Sequence, residues 1–434
     1  MQRYSFGLAC AVVVVLGVFF AADCGETGGI DGSGGSAGGG GSAGVAGTGG
    51  MPECESAEDC DDGNECTEDT CNPSNGSCEH TAIHDDVSCE LELVFTGEQE
   101  DVLSLGEWGV YHMPDEHISY FRAYDTYHVW FTAARDAHHF ISNDLLKMVP
   151  TETVDGRSVS FFGPSGEGFD AYYAGPGSVI HARNGQDLLM FYHGEDQSFE
   201  GPSGFGWFYS TIGLARSSDQ GKTWVRMGAV ITGMDPKPAT PTRKANGAGL
   251  PCALVNESDG FIYLYYIDWP THQGPVADPD AIHVARSPIS SDGVPGSWRK
   301  YFEGAFDEPG LGGNSDGVIR GPHSEALWSG FPSVSFNVFL DSYLAVFQAV
   351  DGFYYSTSRD RVNWGVGKKL LHFEEPTQAG DPWYAYPSLL SPSQPNDMST
   401  DEVGYLYYGF GSFNAAHYMV RRPLNVLWVP VEAD

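Results

Sequence analysis

The side chains with the most chemical potential in this sequence fall beside a recurring proline. Asp115, Glu116 and His117 follow Pro114, and Asp170, Tyr172 and Tyr173 precede Pro176. His193, Glu195, Asp196, Asp268 and Trp269 end aromatic runs, while Glu325, Trp383, Tyr384 and Tyr386 precede later prolines. Carboxylates interleaved with aromatic and His side chains suit a carbohydrate, because rings stack on sugar C–H surfaces and carboxylates accept from hydroxyls. Two carboxylates can also cleave a glycosidic bond, one as acid and the other as base or nucleophile. The candidate catalytic residues are therefore Asp115, Glu195, Asp268 and Glu325, and the candidate substrate-binding residues His193, Trp269, Trp383 and Tyr384. Each also has a plainer reading: an Asp that ends an apolar strand caps a turn, and a Trp packs in a core.

These residues need a scaffold that gathers them, and a repeat supplies it. Pro114, Pro176, Pro251, Pro332 and Pro387 each introduce a short apolar strand, as in "GPGSVIHAR" and "FPSVSFNVF". A second, aromatic strand follows ("DLLMFYHGE", "FIYLYYIDW", "SYLAVFQAV"), then a third ("TIGLARSSD", "AIHVARSPIS"). No long run has the 3.6 period of a helix, and turn residues punctuate the strands. Five recurrences of one strand pattern predict an all-β fold, a five-bladed β-propeller, in preference to a β-sandwich. Residues just before the repeated proline and just after the aromatic strand would then share one mouth of the ring, where every blade contributes a loop.

The segment "SSDQGKTW", Ser217 to Trp224, resembles the Asp-box hairpin turn of sialidases and related propellers, with degenerate copies ending at Trp298 and Trp364. "DTYHVWFTAARDAHHFISNDLLKMVP" resembles the first blade of the five-bladed propeller glycoside hydrolases, the superfamily of arabinanases, β-xylosidases and invertase-like fructosidases. The resemblance implies an extracellular or surface-anchored glycoside hydrolase acting on a polysaccharide or oligosaccharide. Asp115 would serve as base or nucleophile, Glu325 or Glu195 as general acid, and Asp268 as a neighbour tuning the acid. Two departures stand against it. Met113 occupies the place of that superfamily's Asp before the first proline, and its Glu-Gly-Pro motif does not occur. They favour an alternative, a catalytically inactive propeller that binds glycan or protein at the cell surface.

Ahead of the propeller, expected over 93–434, lie three shorter parts. Residues 1–24 read as an export signal: Arg3 precedes the apolar run Leu8 to Ala22, and Cys24 closes it as a candidate lipoprotein cysteine. Asp23 departs from the usual lipoprotein signal. A Gly/Ser-rich flexible linker spans 25–51. A disulfide-rich module spans 52–92, where six Cys predict three bridges of unassigned connectivity. Its "EDCDDGNECTEDTCNPSNGSCEH" resembles Cys-rich repeats of surface proteins in myxobacteria and similar predatory bacteria. The net charge of -36 excludes a phosphate-binding surface and hence nucleic acid. No Lys or Arg lies between Arg3 and Arg122, a stretch holding 23 of the 58 acidic residues. The expected partners are carbohydrate, and membrane only through a lipid on Cys24; the chain is expected to be a secreted or surface-anchored monomer. No cofactor or metal is expected. Asp59, Asp61, Asp62 and Asn64 offer oxygens to Ca²⁺, although a solvated acidic surface accounts for them as well. Cys252 reads as a buried, unpaired thiol.

Overall fold

In the computed structural model, the described residues are Cys54, 56–60, 66–72, 74, 78–82 and 89–430. From the last range, 202–205, 271–280, 322–328, 375–381 and 413–415 are excluded. Cys24, Asp61, Asp62, Asn64 and Glu325 lie outside them. The described chain is nearly all β, with four short 3₁₀ turns besides the strands.

The Cys-rich module is a hairpin of β1 (Thr67–Cys71) and β2 (Cys78–Ala82). Three disulfides staple it: Cys54–Cys71, Cys60–Cys78 and Cys66–Cys89. Among the described residues the one cluster with metal-ligand spacing is Cys54, Cys60 and Cys78, and all three sulfurs are already in disulfides. β3 (Cys89–Phe95) and β4 (Glu100–Leu103) lead out of it.

Four-stranded antiparallel units follow. The first is β5 (Ser119–Ala123), β6 (Thr126–Ala133), β7 (Asp136–Ser142) and β8 (Met148–Pro150). A small hairpin, β9 (Thr153–Val154) and β10 (Arg157–Ser158), separates it from the second. That unit is β11 (Tyr173–His181), β12 (Leu188–Asp196), β13 (Phe208–Ser217) and β14 (Val225–Thr232). The third comprises β15 (Ala245–Asn256), β16 (Phe261–Trp269), β17 (Ile282–Pro288) and β18 (Arg299–Phe302). β19 (Ala305–Pro309) extends it, and β20 (Gly317–Ile319) also pairs with β17. The fourth is β21 (Ser329–Asn337), β22 (Ser342–Ala349), β23 (Gly352–Ser358) and β24 (Lys368–His372). The fifth contains β25 (Trp383–Leu390), β27 (Val403–Gly411) and β28 (His417–Pro430); between its first two strands β26 (Ser399–Thr400) crosses to pair with β21.

The fourth strand of that last unit comes from the other end of the chain. β3 pairs antiparallel with β28, Cys89 opposite Pro430 and Phe95 opposite Leu424. The boundary expected after residue 92 therefore falls inside a propeller strand whose first residue is bonded to the module.

Hydrophobic clusters sit at the junctions between units rather than inside them. Phe131 and Phe140 of the first unit pack with Leu390, Tyr407 and Met419 of the last. Trp130 meets Met190 and Tyr192; Phe191 meets Leu264 and Trp298; Tyr265 meets Val334 and Phe347; Phe353 meets Leu406 and Leu424. Each sheet is thus covered on both faces, which explains why strands such as "FIYLYYIDW" are apolar at nearly every position instead of alternating. Junctions that run from each unit to the next and back to the first make a ring, the architecture of a β-propeller.

The innermost strands close the ring by a repeated hydrogen bond. Val179 N donates to Ser119 Oγ at 2.9 Å, Ala253 N to Ser178 Oγ at 2.9 Å and Val334 N to Cys252 Sγ at 3.3 Å. Leu389 N donates to Ser333 Oγ at 3.0 Å, and Ile118 N to Ser388 Oγ at 3.0 Å. Four of the repeated prolines lie immediately upstream of these positions, where β11, β15, β21 and β25 bulge out of register. Pro has no N–H for the ladder, so a bulge is where a strand tolerates it.

The free, buried Cys252 is therefore a structural member of the ring, standing where other units have Ser. Ser388→Ala leaves the buried Ile118 N–H without an acceptor and is expected to cost about 1–3 kcal/mol in urea unfolding. Cys252→Ser keeps an acceptor in place and is expected to change stability less than Cys252→Val does.

Candidate functional site

The connectivity puts the starts of first strands and the ends of second strands at one end of the ring. The observed register agrees: Tyr173 of β11 faces Glu195 of β12, and Gly247 of β15 faces Trp269 of β16. The residues just before three repeated prolines, Leu250, Phe331 and Tyr386, all have left-handed backbones, with φ of 57°, 53° and 57°. A residue preceding Pro is normally extended, and a bulky one at positive φ is strained, so these positions are held by their surroundings. Together with His117, Pro332 and Pro387 they line the axial end of this mouth.

Around them stands a carboxylate cluster. Asp115, which follows a cis Met113–Pro114 bond, is only part-exposed and hydrogen-bonds to the side chains of Tyr386 and Tyr173. Burial pushes its pKa up to about 8; the two Tyr hydroxyls pull it down, and the negative charge of Glu195 pushes it further up. Glu116 is 1% exposed. Its Oε1 accepts from Tyr173 OH at 3.2 Å, and its Oε2 has no hydrogen-bond partner among the described residues. Burial, then the charge of Asp115, lifts it well above the usual carboxylate range.

Glu195 is the open member. Its Oε2 accepts from Gln197 Nε2 at 2.9 Å, and its Oε1 lies 3.4 Å from His193 Nε2. Leu250 N donates to His193 Nδ1 at 3.2 Å, so Nδ1 is an acceptor and the ring's proton sits on Nε2, directed at Glu195. Glu116 Oε1 lies 3.7 Å from the same Nδ1. The close passage of β15 over this ring requires Gly249, where a Cβ would lie 2.3 Å from His193 Nδ1. Tyr173, Phe208 and Trp269 pack edge-on against His193, at centroid distances of 5.2, 5.8 and 6.3 Å.

The structure thus joins Asp115, Glu195 and His193 in one cluster and treats the other expected residues differently. Trp269 is 7% exposed and forms the wall behind His193, which leaves its ring face unavailable as a platform. Trp383 is half-buried beside the site, 4.5 Å from the His417 ring and 6.0 Å from Tyr386. Tyr384 points the other way, stacked on Phe373 at 4.9 Å in the core between the fourth and fifth units. Asp268 is fully enclosed, accepts from Met234 N at 3.1 Å and has buried Lys300 as a charged neighbour. Glu116, Tyr173 and Tyr386 were given no role by sequence reasoning. Their signal was position alone: each lies beside a repeated proline or at the start of its strand.

The turn "SSDQGKTW" lies at the opposite end. Asp219 Oδ1 accepts from Thr223 N at 2.9 Å, Trp224 Nε1 donates to Gly221 O at 3.0 Å, and Gly221 has φ of 86°. Hydrogen bonds from Thr223, side chain first, hold Asp219 down at a pKa of about 2.

Comparison with known proteins adds the following. Residues 59–83 match a family model described as the Dictyostelium (slime mold) repeat, which covers only the Cys-rich module. No curated protein matches the chain. Among solved structures, similarity extends to a protein of unknown function from Dyadobacter fermentans. It is 11% identical, covers 77% of this chain and 99% of that one, and has a TM-score of 0.45. It also extends to an endo-1,5-α-L-arabinanase from Thermotoga petrophila, 12% identical over 77% and 76% of the two chains, with a TM-score of 0.45. A family 117 glycoside hydrolase from Zobellia galactanivorans is 12% identical over 80% and 92%, again at 0.45. Glycoside hydrolases are thus among the chain's structural neighbours, at low identity.

The cluster makes stability pH-dependent in a defined direction. A carboxyl whose folded pKa exceeds its unfolded value holds a proton that the unfolded chain releases, so its contribution is lost as pH rises. For Asp115 the window runs from 3.8 to about 8. Thermal unfolding is expected to shift to lower temperature across that window, and Asp115→Asn is expected to flatten the shift.

Proposed function

We propose that this propeller is an exported glycoside hydrolase whose reaction takes place at the mouth formed by Asp115, Glu195, Tyr173, Tyr386 and His193. The observation that carries the reading is a pair of neighbouring carboxylates in one mouth, one of which burial raises to about 8. Asp115, part-exposed and raised to about 8, is protonated at neutral pH. Glu195 is open to solvent on one side and faces the Nε2–H of His193. A carboxyl that holds its proton at neutral pH, beside a second carboxyl in the same mouth, is suited to the acid role of such a pair.

In this reading Asp115 donates its proton to the glycosidic oxygen as the bond to the anomeric carbon breaks. Glu195 takes the complementary part, activating water or attacking the anomeric carbon directly. These assignments exchange the roles implied by the resemblance, in which Asp115 is base or nucleophile and Glu325 or Glu195 the general acid. The charged neighbour that raises the acid is Glu195, whereas Asp268 is buried and accepts from Met234 N. Among the described residues none of the three mouth carboxylates has an Arg or Lys partner, which favours a neutral sugar over a sulfated or uronate one at the point of cleavage.

Export belongs to the same proposal. Three disulfides persist in an oxidising compartment, and the apolar run Leu8 to Ala22 with Cys24 after it supplies a signal and a site for lipid.

The test is kinetic. On aryl glycosides and neutral polysaccharides, Asp115→Asn and Glu195→Gln are each expected to lower kcat by about 100- to 10,000-fold, the usual yield of a positioned acid or base. The alkaline limb of the wild-type profile is expected near pH 8 and to vanish in Asp115→Asn. Hydrolysis that is equal in all three proteins overturns the assignment.

A further inference from the structure

At the end of the ring opposite the mouth, turns of the fourth unit and outer strands of the fifth enclose a cavity of about 360 Å³. Its floor is apolar: Leu91 and Leu340 are buried, and half-buried Trp428 lies beside them. Thr357, Arg359 and Asn363 stand at its rim.

The charges around this cavity are unevenly committed. Asp360 is used up inside the turn, where Oδ1 accepts from Asn363 N at 2.7 Å and from Val362 N at 3.1 Å, and Oδ2 accepts from Asn363 Nδ2 at 2.6 Å. Arg361 turns away to Asp259 at 3.0 Å and Tyr343 at 2.8 Å, and Lys368 is bound to Glu90 at 2.8 Å. Arg359 is exposed and has no ion-pair partner among the described residues, in a chain whose net charge is -36. An uncommitted guanidinium beside an indole, with a hydroxyl and an amide oxygen within the same rim, matches a ligand with one carboxylate and an apolar ring face. The volume falls in the range of small-molecule pockets.

We infer that this cavity is a second saccharide site, separate from the mouth, which takes a uronate-bearing sugar. Arg359 pairs with the carboxylate, Trp428 covers a C–H face, and Thr357 and Asn363 bond to hydroxyls. The inference rests on the carbohydrate reading of the protein but uses none of the mouth residues. Because Leu91 lies two positions after Cys89, a sugar held here sits next to the disulfide-stapled module, at the end of the ring away from cleavage.

The experiment is calorimetric titration of the full chain with short galacturonate- or glucuronate-bearing oligosaccharides, and with neutral oligosaccharides of the same length. Wild type is expected to bind the uronate ligands more tightly than the neutral ones, with affinity falling as salt is raised. Arg359→Ala is expected to weaken uronate binding about tenfold, the size of one lost charge-assisted hydrogen bond. Thr357→Val, a change close in shape, is expected to weaken it as well, and Glu195→Gln to leave it unchanged. The inference fails if wild type binds no uronate ligand, if Arg359→Ala binds it equally well, or if Glu195→Gln abolishes binding. A loss of hydrolysis in Glu195→Gln with uronate binding intact supports both sites, and absent hydrolysis in wild type with Arg359-dependent binding overturns only the mouth.

Discussion

Five backbone N–H groups donate across the junctions to side chains on the innermost strands, and the rest of the molecule is arranged around that ring. Where β11 passes β15, a Cβ at Gly177 would lie 2.0 Å from Pro251 O, and among the described residues no backbone ladder joins the first strands of neighbouring units. Buried N–H groups there still require acceptors, and a short Oγ or Sγ on the preceding unit supplies one. The same local geometry accounts for the proline beside it. The bulge that frees a side chain to reach across the junction also removes the need for one ladder donor, which Pro lacks. The residue before that proline is forced to positive φ at Leu250, Phe331 and Tyr386. Strain of that kind costs on the order of 1–3 kcal/mol per residue and persists only where neighbours hold it. Ring, bulge and strain are therefore one device, and its product is a set of side chains fixed at the mouth.

This explains how much of the fold could be read from the residues. The repeated proline and the aromatic strand after it mark the inner two strands of each unit, and both are visible because their chemistry is constrained. The fourth strand of the last unit was not visible as such. "CELELVF" adjoins the Cys-rich segment, and nothing local to it indicates that its partner is more than three hundred residues away, at Leu424–Pro430. Disulfide pairing was equally illegible, since six Cys constrain number but not connectivity.

The site was legible in its location and only partly in its members. Position beside a repeated proline found Asp115, and position at the end of an aromatic strand found His193 and Glu195. It did not separate Tyr384, which points into the core between two units, from Tyr386, which points into the mouth. These two differ by an even number of residues, so strict strand alternation would place them on the same face. The bulge between Ala385 and Ser388 and the positive φ of Tyr386 break that alternation, and neither is written in the residue types.

Two acids that end equivalent strands show why residue type underdetermines role. Asp268 and Glu195 both close the second strand of a unit, and both follow a run of buried aromatic residues. Asp268 is enclosed, receives Met234 N–H and has the buried Lys300 as a charged neighbour. Among the described residues no Lys or Arg pairs with Glu195. Its companions are Asp115 and Glu116, which burial already drives toward the neutral form and which each ionised neighbour drives further. A carboxylate compensated by a cation stabilises the fold and has little left to give a substrate. At this mouth no Lys or Arg among the described residues offsets the acids, so burial and neighbouring negative charge raise both Asp115 and Glu116.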